Sequence, residues 1–448
     1  MNAMLNSSSD SSDSSDSPDT GAESTTRQSG LLRFITAGSV DDGKSTLIGR
    51  LLHDTGNVAA DQLASIRATS QKRGLAAIDW SLLTDGLIAE REQGITIDVA
   101  YRYFATARRK FIIGDAPGHE QYTRNMVTAA SGADLAILLV DARKGVVTQT
   151  RRHAYLAHLL GIRELVLAVN KMDLIDWQPT VYQAIVDEFN AFVGRLGRHH
   201  VQAIPLSALN GTNVATRAEA IPWYSGPCLL EHLQSSPVRR DAAAAPLRLP
   251  VQRVVRVMLG NGADGETATE FRGYQGMLAS GRLRLGDEVA VMPNGQRARV
   301  ARLSVAERDL AEAGADRSVV VALDREIDIS RGDMLCDPQQ LPRVAKTLTA
   351  DICWLSEQPL DMRRKYLIKH ATRSVNAMFE ELSYRVDVNS LAQQAAPDTA
   401  QMNDIVRARL RLHQPVLADA YGSNRTTGSF IVIDPVSLHT VAAGVIVE

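Results

Sequence analysis

Apolar runs alternate with longer amphipathic stretches through the first half of the chain. The stretches predict helices near residues 44–53, 57–72, 119–131, 147–160 and 180–195. The runs predict strands at Leu31–Ala37, Phe111–Ile113, Asp134–Val140, Leu165–Val169 and Val201–Leu206. Residues 135–140 are apolar at every position, which is typical of a strand buried on both faces of a parallel sheet. The alternation therefore predicts a doubly wound α/β domain with a mostly parallel sheet, placed over residues 30–236.

The second half of the chain has a different pattern. Short segments, among them Arg248–Val257, Asp287–Val291, Arg297–Leu303 and Ser318–Leu323, are separated by turns rich in Gly, Asp and Asn. Such segments are typical of small β-barrels or sandwiches. We predict two all-β barrel domains, over residues 247–346 and 347–448, and a linker over residues 237–246.

The first 29 residues differ from the rest in composition. They hold ten serines, five acidic residues and one arginine, and no aromatic residue. Such a segment cannot bury enough apolar surface to offset the entropy lost on ordering. A disordered tail over residues 1–29 is therefore predicted.

Composition narrows the possible functions. The 49 basic and 51 acidic residues nearly balance, which argues against electrostatically driven binding to long nucleic acids and leaves room for a local basic patch. The three cysteines are odd in number and widely spaced, so neither a disulfide scaffold nor a zinc site is expected. Neither a membrane-length apolar run nor a secretory signal is visible, and a cytoplasmic location is predicted.

A phosphate-binding loop follows the first predicted strand. The pattern G-x-x-x-x-G-K-[ST] is formed by Gly38, Ser39, Val40, Asp41, Asp42, Gly43, Lys44 and Ser45, and Thr46 follows it into a predicted helix. The glycines let successive backbone N–H groups point at an anion. Lys44 is expected to reach the β- and γ-phosphates of a nucleotide, and the Ser45 hydroxyl to ligate Mg²⁺.

A second motif, D-x-x-G-H, follows the strand at Phe111–Ile113. It comprises Asp115, Ala116, Pro117, Gly118 and His119. The Asp115 carboxylate is expected to hold the magnesium shell, and the Gly118 N–H to face the γ-phosphate. His119 stands where other GTPases carry a water-positioning glutamine. Catalytic roles are therefore predicted for His119 and Lys44.

Upstream of this motif, residues 91–97 read R-E-Q-G-I-T-I. A threonine in this polar stretch, Thr96, can complete the magnesium shell while the γ-phosphate is present. Loss of that contact on hydrolysis would release the loop and so form a nucleotide switch. The alternative is a solvated threonine without such a role.

A third motif, Asn170-Lys171-Met172-Asp173, follows a predicted buried strand. The Asp173 carboxylate can accept two parallel hydrogen bonds from guanine N1–H and the 2-amino group. Adenine lacks both donors and would leave the carboxylate unpaired. The Lys171 stem is expected to pack along the base, and the later triplet Ser207-Ala208-Leu209 to offer an N–H to guanine O6.

Four elements in this order identify a P-loop GTPase, with GTP and Mg²⁺ as expected cofactors. The motifs R-E-x-G-I-T and D-x-P-G-H, with two β domains downstream, resemble the translation-factor GTPase superfamily that includes elongation factor Tu. The phosphate loop departs from the elongation-factor form G-H-V-D-H-G-K-[ST], because Ser39 and Asp42 replace its histidines. It is instead very similar to the GTPase subunits (subunit 1) of bacterial sulfate adenylyltransferase.

Other stretches resemble the same family over roughly residues 30–446. They are D-A-P-G-H-E-Q-Y-T-R-N-M from Asp115, P-W-Y-S-G-P from Pro222, Y-L-I-K-H-A-T-R from Tyr366 and Y-R-V-D-V-N from Tyr384. The resemblance implies that GTP hydrolysis drives synthesis of adenosine 5′-phosphosulfate and pyrophosphate from ATP and sulfate. That chemistry would occur on a catalytic small subunit, with which this chain would form a heterodimer or a higher assembly.

Two alternatives remain at this point. A translational GTPase that delivers RNA to the ribosome is disfavoured by the histidine-free phosphate loop and the near-neutral charge. A regulatory module that binds GTP without hydrolysis is disfavoured by His119 and the full magnesium set. Some relatives carry a fused adenylylsulfate kinase, but no second phosphate loop is present here and no kinase activity is expected. The basic runs at 363–365 and 369–370 could face the partner or a nucleotide, but a solvated loop is the favoured interpretation.

Overall fold

The computed structural model describes residues 29–74, 78–84, 98–219, 221–238, 241–259, 269–306 and 308–447. Its first sheet has six strands: β1 (Ser29–Ala37), β2 (Ala100–Ala105), β3 (Arg109–Asp115), β4 (Leu135–Asp141), β5 (Glu164–Asn170) and β6 (His200–Pro205). Their order is β2-β3-β1-β4-β5-β6, and every pairing is parallel except that of β2 with β3. The prediction of a doubly wound, mostly parallel sheet is confirmed.

Within the described part of this domain, six helices accompany the sheet: α1 (Lys44–Asp54), α2 (Ala60–Lys72), α3 (Thr123–Ser131), α4 (Thr148–Leu159), α5 (Pro179–Gly194) and α6 (Leu229–Ser235). Short 3₁₀ helices occupy Trp80–Leu83, Glu120–Tyr122 and Met172–Ile175. All seven residues of β4 are buried, as expected of a strand covered on both faces. Two separate apolar cores therefore lie on the two sides of the sheet.

The first β domain is a closed antiparallel barrel. Its strands are β7 (Arg248–Leu259), β8 (Thr269–Met277), β9 (Arg282–Arg284), β10 (Glu288–Met292), β11 (Gln296–Val305), β12 (Arg308–Asp309), β13 (Glu312–Gly314), β14 (Ser318–Leu323) and β15 (Met334–Cys336). Six of them run in the order β10-β15-β7-β8-β14-β11, and β11 pairs back with β10. Closure leaves no open edge among these six strands. A four-residue helix, α7 (Asp241–Ala244), lies inside the predicted linker.

The second β domain closes in the same way. Its strands are β16 (Arg343–Trp354), β17 (Tyr366–His370), β18 (Arg373–Val386), β19 (Gln393–Gln394), β20 (Ile405–Ala418), β21 (Ser429–Ile433) and β22 (Thr440–Ile446). The order β17-β21-β22-β16-β20-β18 is completed by pairing of β18 with β17. The expectation of two β-barrels after the α/β domain is confirmed, and the domain limits themselves stay predictions.

The second barrel packs against the α/β domain. The Tyr421 hydroxyl donates to Leu160 O at 2.9 Å, and Arg425 donates to Ala133 O at 3.1 Å. The apolar core on that side of the sheet continues into the barrel through Cys353 and Ile405. No helix among the described segments is long and apolar enough to cross a membrane.

Candidate nucleotide-binding site

The phosphate loop links the end of β1 to the start of α1. Gly43 has a φ of 92°, and a Cβ there would lie 2.5 Å from Asn170 Nδ2, so only glycine fits. Inside the loop, the Ser39 N–H donates to Asp42 Oδ2 at 2.6 Å. Burial raises the pKa of Asp42, while the Ser39 N–H opposes that rise. The loop is therefore pre-shaped by its own hydrogen bonds.

Lys44 lies against the loop that it follows. Its ammonium donates to Gly38 O and to Ser39 O, each at 2.9 Å, and the residue is buried. Burial lowers the pKa of Lys44, and the nearby carboxylates, led by Asp115, counteract that shift. Because a phosphate oxygen makes a stronger, charge-assisted hydrogen bond than a carbonyl oxygen, an arriving phosphate can replace these contacts.

The D-x-x-G-H motif lies directly beside the phosphate loop. Asp115 ends β3 and is buried, and its Oδ1 accepts a hydrogen bond from Thr36 Oγ1 at 3.2 Å. A Cβ on Gly118 would lie 2.5 Å from both Gly38 O and Lys44 Nζ. The backbone at Gly118 therefore packs closely against the phosphate loop, with no space for a side chain.

His119 is exposed at the mouth of this site. Its Nδ1 accepts the Gln121 N–H at 3.4 Å. In the neutral ring that arrangement puts the proton on Nε2. Ala116 and Pro117, between Asp115 and Gly118, are buried.

Asn170 joins three of the predicted motifs. Its Nδ2 donates to Asp42 O at 2.7 Å, and its Oδ1 accepts the Ala208 N–H at 2.9 Å. The side chain is buried. One amide therefore fixes the phosphate loop, the N-K-M-D segment and the Ser207–Leu209 segment relative to one another.

The ammonium of Lys171 is held in place by two contacts. Its Nζ donates to the Asp41 carbonyl and lies 3.1 Å from Asp141 Oδ2. Asp141 also accepts from Arg143 Nη2 at 2.7 Å and Nε at 3.0 Å. Burial acts to raise the pKa of Asp141, but the bonds from Arg143 and Lys171 outweigh it and hold that pKa below its usual range. Sequence reasoning missed Asp141, whose only signal is its position at the end of β4.

The remaining base-selecting residues follow β5 and β6. Asp173 and Met172 lie in the 3₁₀ helix Met172–Ile175, with Asp173 half-buried and Met172 buried. Ser207 is buried, while Leu209 is exposed. Since β5 and β6 are parallel neighbours, these segments leave the sheet at the same edge as the phosphate loop.

A cavity of about 320 Å³ lies between the phosphate loop, the start of α1, the Gly118–His119 segment and Lys171, and neither Asp173 nor Ser207–Leu209 lines it. It is lined by Val40, Asp41, Gly43, Lys44, Ser45, Thr46, Ser81, Gly118, His119 and Lys171. Sequence reasoning missed Ser81, which no motif marks. Ser81 reaches the cavity because its neighbour Trp80 packs closely on α1. A Cβ on Gly49 of α1 would lie 2.1 Å from Trp80 O. Thr96, the predicted switch residue, lies outside the described residues.

The donors at this site suit Mg²⁺. Ser45 offers a hydroxyl in the cavity, and Asp115 a buried carboxylate beside it. Mg²⁺ prefers oxygen ligands and is held through one or two protein groups together with substrate phosphates. Among the described residues, no group of three or more His, Cys, Asp or Glu is arranged to hold a metal ion by itself.

Two family models match the chain. The model described as "Elongation factor Tu GTP binding domain" matches residues 29–236, and "GTP-eEF1A C-terminal domain-like" matches residues 347–447. Among solved structures, sup35 complexed with GDP aligns over 96% of this chain and 97% of its own, with 25% identity and a TM-score of 0.42.

Curated relatives match almost the full chain. Sulfate adenylyltransferase subunit 1 of Shewanella oneidensis is 49% identical over 94% of this chain and 86% of its own length. The protein of the same name from Yersinia enterocolitica is 48% identical over 93% and 86%. The bifunctional enzyme CysN/CysC of Mycobacterium tuberculosis is 51% identical over 93% of this chain and 67% of its own length. The chain belongs to the family of sulfate adenylyltransferase subunit 1, with a GTP-binding domain of the elongation factor Tu type.

Proposed function

We propose that this chain hydrolyses GTP to drive synthesis of adenosine 5′-phosphosulfate and pyrophosphate from ATP and sulfate on a catalytic small subunit. The observation that carries the proposal is that the phosphate loop, the D-x-x-G-H motif and Lys171 of N-K-M-D line one cavity. Asn170 also ties the phosphate loop to the Ser207–Leu209 segment. Membership of the sulfate adenylyltransferase subunit 1 family supplies the reaction that the GTPase would serve.

Each group has a role in hydrolysis of the β–γ anhydride. In the proposal, the Lys44 ammonium leaves the loop carbonyls and stabilises charge on the β- and γ-phosphates. The Gly118 N–H donates to the γ-phosphate, and His119 orients the attacking water. The water oxygen bonds to the γ-phosphorus, the bridging oxygen leaves with GDP, and the water's proton passes to the phosphate or solvent.

Ser45, Asp115 and Thr96 are proposed to hold Mg²⁺. When bound, the ion neutralises charge that develops on the β- and γ-phosphate oxygens. Asp173 selects guanine by accepting from N1–H and the 2-amino group. These assignments predict GTP in preference to ATP at this site.

Coupling requires conformations of this subunit that bind the partner's reaction states with different affinities. The segment around Thr96 is the proposed switch. Thr96→Ala is expected to leave GTP hydrolysis measurable while adenosine 5′-phosphosulfate yield per GTP falls. Full yield per GTP in this variant would exclude Thr96 as the switch. A heterodimer or higher assembly, in the cytoplasm, is the proposed setting.

The test of function is formation of adenosine 5′-phosphosulfate from ATP and sulfate by this chain mixed with its catalytic subunit. GTP, GDP and no guanine nucleotide are compared. The expected result is product accumulation with GTP far above that with GDP. Equal rates in all three conditions would refute coupling and leave a GTPase that acts elsewhere.

The role of His119 needs a separate test. His119→Ala is expected to slow single-turnover GTP hydrolysis by at least about 10²-fold, as for loss of a group that positions the nucleophile. GTP affinity should change little, because the side chain is exposed at the mouth of the cavity. His439→Ala, an exposed histidine in the second barrel, is the control. An unchanged hydrolysis rate would remove His119 from the mechanism.

A further inference from the structure

A basic groove of about 440 Å³ lies on the surface of the second barrel. It is lined by Lys346, Lys365, Arg411 and His413, with Asn376 and Met378 among its other residues, and no acidic residue lines it. We call these four cationic or titratable residues the basic groove. It has no part in the nucleotide site, which lies in the α/β domain.

The barrel fixes these side chains on its outer face. Along β20, buried Leu410 and Leu412 alternate with exposed Arg411 and His413, as the two-residue period of a strand requires. Lys346 lies at a register shift between β16 and β20, and Lys365 directly precedes β17. The sheet therefore fixes the backbone positions of Lys346, Arg411 and His413, and Lys365 lies at the amino end of β17.

The charges of the basic groove are incompletely neutralised. Arg411 Nε lies 3.2 Å from Glu380 Oε1. Within the described segments, neither Lys346 nor Lys365 has an ion-pair partner. The expectation that residues 363–365 and 369–370 form solvated loop is wrong for Lys369 and His370, which lie in β17, with His370 buried. Lys365 instead contributes an exposed charge to the groove.

This chain also contains a negatively charged segment, opposite in charge to the basic groove. Residues 1–28, which we call the acidic segment, contain five carboxylates and one arginine. The segment joins the α/β domain at the amino end of β1, which is parallel to β4. The second barrel docks at that same edge, since Arg425 donates to Ala133 O, just before β4.

The number of residues between Ser29 and each carboxylate sets how far the acidic segment can reach. The five carboxylates lie 6 to 19 residues before Ser29, so an extended chain carries them up to about 20 to 60 Å from it. A barrel of about 100 residues has a radius of gyration of about 13 Å. Asp10, the carboxylate farthest from Ser29, can therefore span a distance larger than the barrel, and tethering gives an effective concentration of about 1 mM.

We propose that the acidic segment binds the basic groove of its own chain, with carboxylates of the segment paired to Lys346 and Lys365. The contact is electrostatic, exposed and therefore sensitive to salt.

Carbodiimide cross-linking of the full chain tests this proposal, because it joins a carboxylate to an amine only when the two are in contact. The chain has eight lysines, so the cross-linked partners can be assigned by mass spectrometry. At low ionic strength, cross-links from residues 10–23 are expected at Lys346 and Lys365. Their yield should fall at least about fivefold in 1 M NaCl, where the Debye length is about 3 Å.

Lys72 and Lys144 are the internal controls, because both are exposed and lie in the α/β domain. Equal cross-linking of all four lysines would show a segment without a docking site and would overturn the proposal. Cross-links between two chains, seen as covalent dimers, would also overturn it. The proposal would also be overturned if the acidic segment formed no cross-links and the catalytic subunit instead protected Lys346 and Lys365 from modification.

A second measurement avoids any change to the folded domains. Neutralising the segment with Asp10→Asn, Asp13→Asn, Asp16→Asn and Asp19→Asn is expected to raise the acylation rate of Lys346 and Lys365 at least twofold. The acylation rate of Lys72 should stay the same. Unchanged rates at both groove lysines would contradict the proposal, since the variant cannot misfold the barrel.

Discussion

At the scale of single residues, Asn170 is the side chain on which the site depends most. Asn170→Ala removes the acceptor for the Ala208 N–H and the donor to Asp42 O, both buried. Each buried group left unsatisfied costs about 1–3 kcal/mol. We expect affinities for GTP and GDP to fall together by at least about tenfold, measured by fluorescent-nucleotide titration.

The control for this variant is another buried amide far from the site. Asn424 donates to Ser280 Oγ at 2.8 Å and accepts from the Thr427 N–H at 3.2 Å. Asn424→Ala should lower the free energy of unfolding and leave nucleotide affinity within twofold. Unchanged nucleotide affinity in Asn170→Ala would contradict the bridging role.

His153 on α4 gives a prediction about pH. Its ring is fully buried, its Nδ1 has no hydrogen-bond partner among the described residues, and burial lowers its pKa to about 3. Between pH 6.5 and 3 the unfolded chain binds a proton that the folded chain does not. The contribution of neutral His153 to the free energy of unfolding is therefore fully present above about pH 6.5. It falls by up to about 1.4 kcal/mol for each pH unit below that value.

The measurement is urea unfolding at pH 7 and pH 5. Between pH 7 and pH 5, the free energy of unfolding of the wild-type chain should fall by about 2 kcal/mol more than that of His153→Gln. His439→Gln, at an exposed histidine, should behave as wild type. Parallel losses in wild type and His153→Gln would show that His153 is not the responsible group.

At the scale of elements, the loop after β3 depends on its contact with the phosphate loop. A methyl group on Gly118 would overlap Gly38 O and Lys44 Nζ, each at 2.5 Å. Gly118→Ala should therefore displace this loop and lower GTP affinity by at least about tenfold in a nucleotide titration.

Gly132, at the end of α3, is the matched control. A Cβ there meets nothing within 4 Å, and its φ of −104° is ordinary for alanine. Gly132→Ala should leave GTP affinity within twofold. If both alanine variants bind GTP like the wild type, the close contact at Gly118 is not required.

At the scale of the whole molecule, the two barrels are joined by an ion pair between buried Arg248 and partly buried Asp419. Arg248 donates to both Asp419 oxygens, at 2.9 and 3.0 Å, and to Gln340 O at 2.8 Å. Arg248→Ala leaves the Asp419 charge unpaired, which costs about 3–5 kcal/mol. The expected result is a Tm lower by at least about 5 °C, with a larger radius of gyration in X-ray scattering.

The surface pair of Arg282 with Glu312 provides the comparison, because these side chains are 58% and 38% exposed. Arg282→Ala should change stability by less than about 1 kcal/mol. Equal effects of the two substitutions would mean that the Arg248 pair does not hold the barrels together.

How much was predictable differs between local and long-range features. Hydrophobic runs identified the central strands, because burial on both faces leaves an unbroken apolar segment such as β4. The phosphate loop was recognisable because its backbone shape demands glycines at fixed spacing. Asp141 and Ser81 were missed, because their roles come from contacts with Lys171 and with the cavity rather than from neighbours in sequence.

The sequence by itself determined the α/β domain, the order of its nucleotide motifs and the β-rich character of the second half. These properties follow from local periodicity and from backbone shapes that only certain residues adopt. Only the tertiary structure decided that Asn170 joins three loops, that each barrel closes and that the second barrel docks beside β4. Those features depend on which distant strands pair and in which register, and no short stretch of sequence encodes that choice.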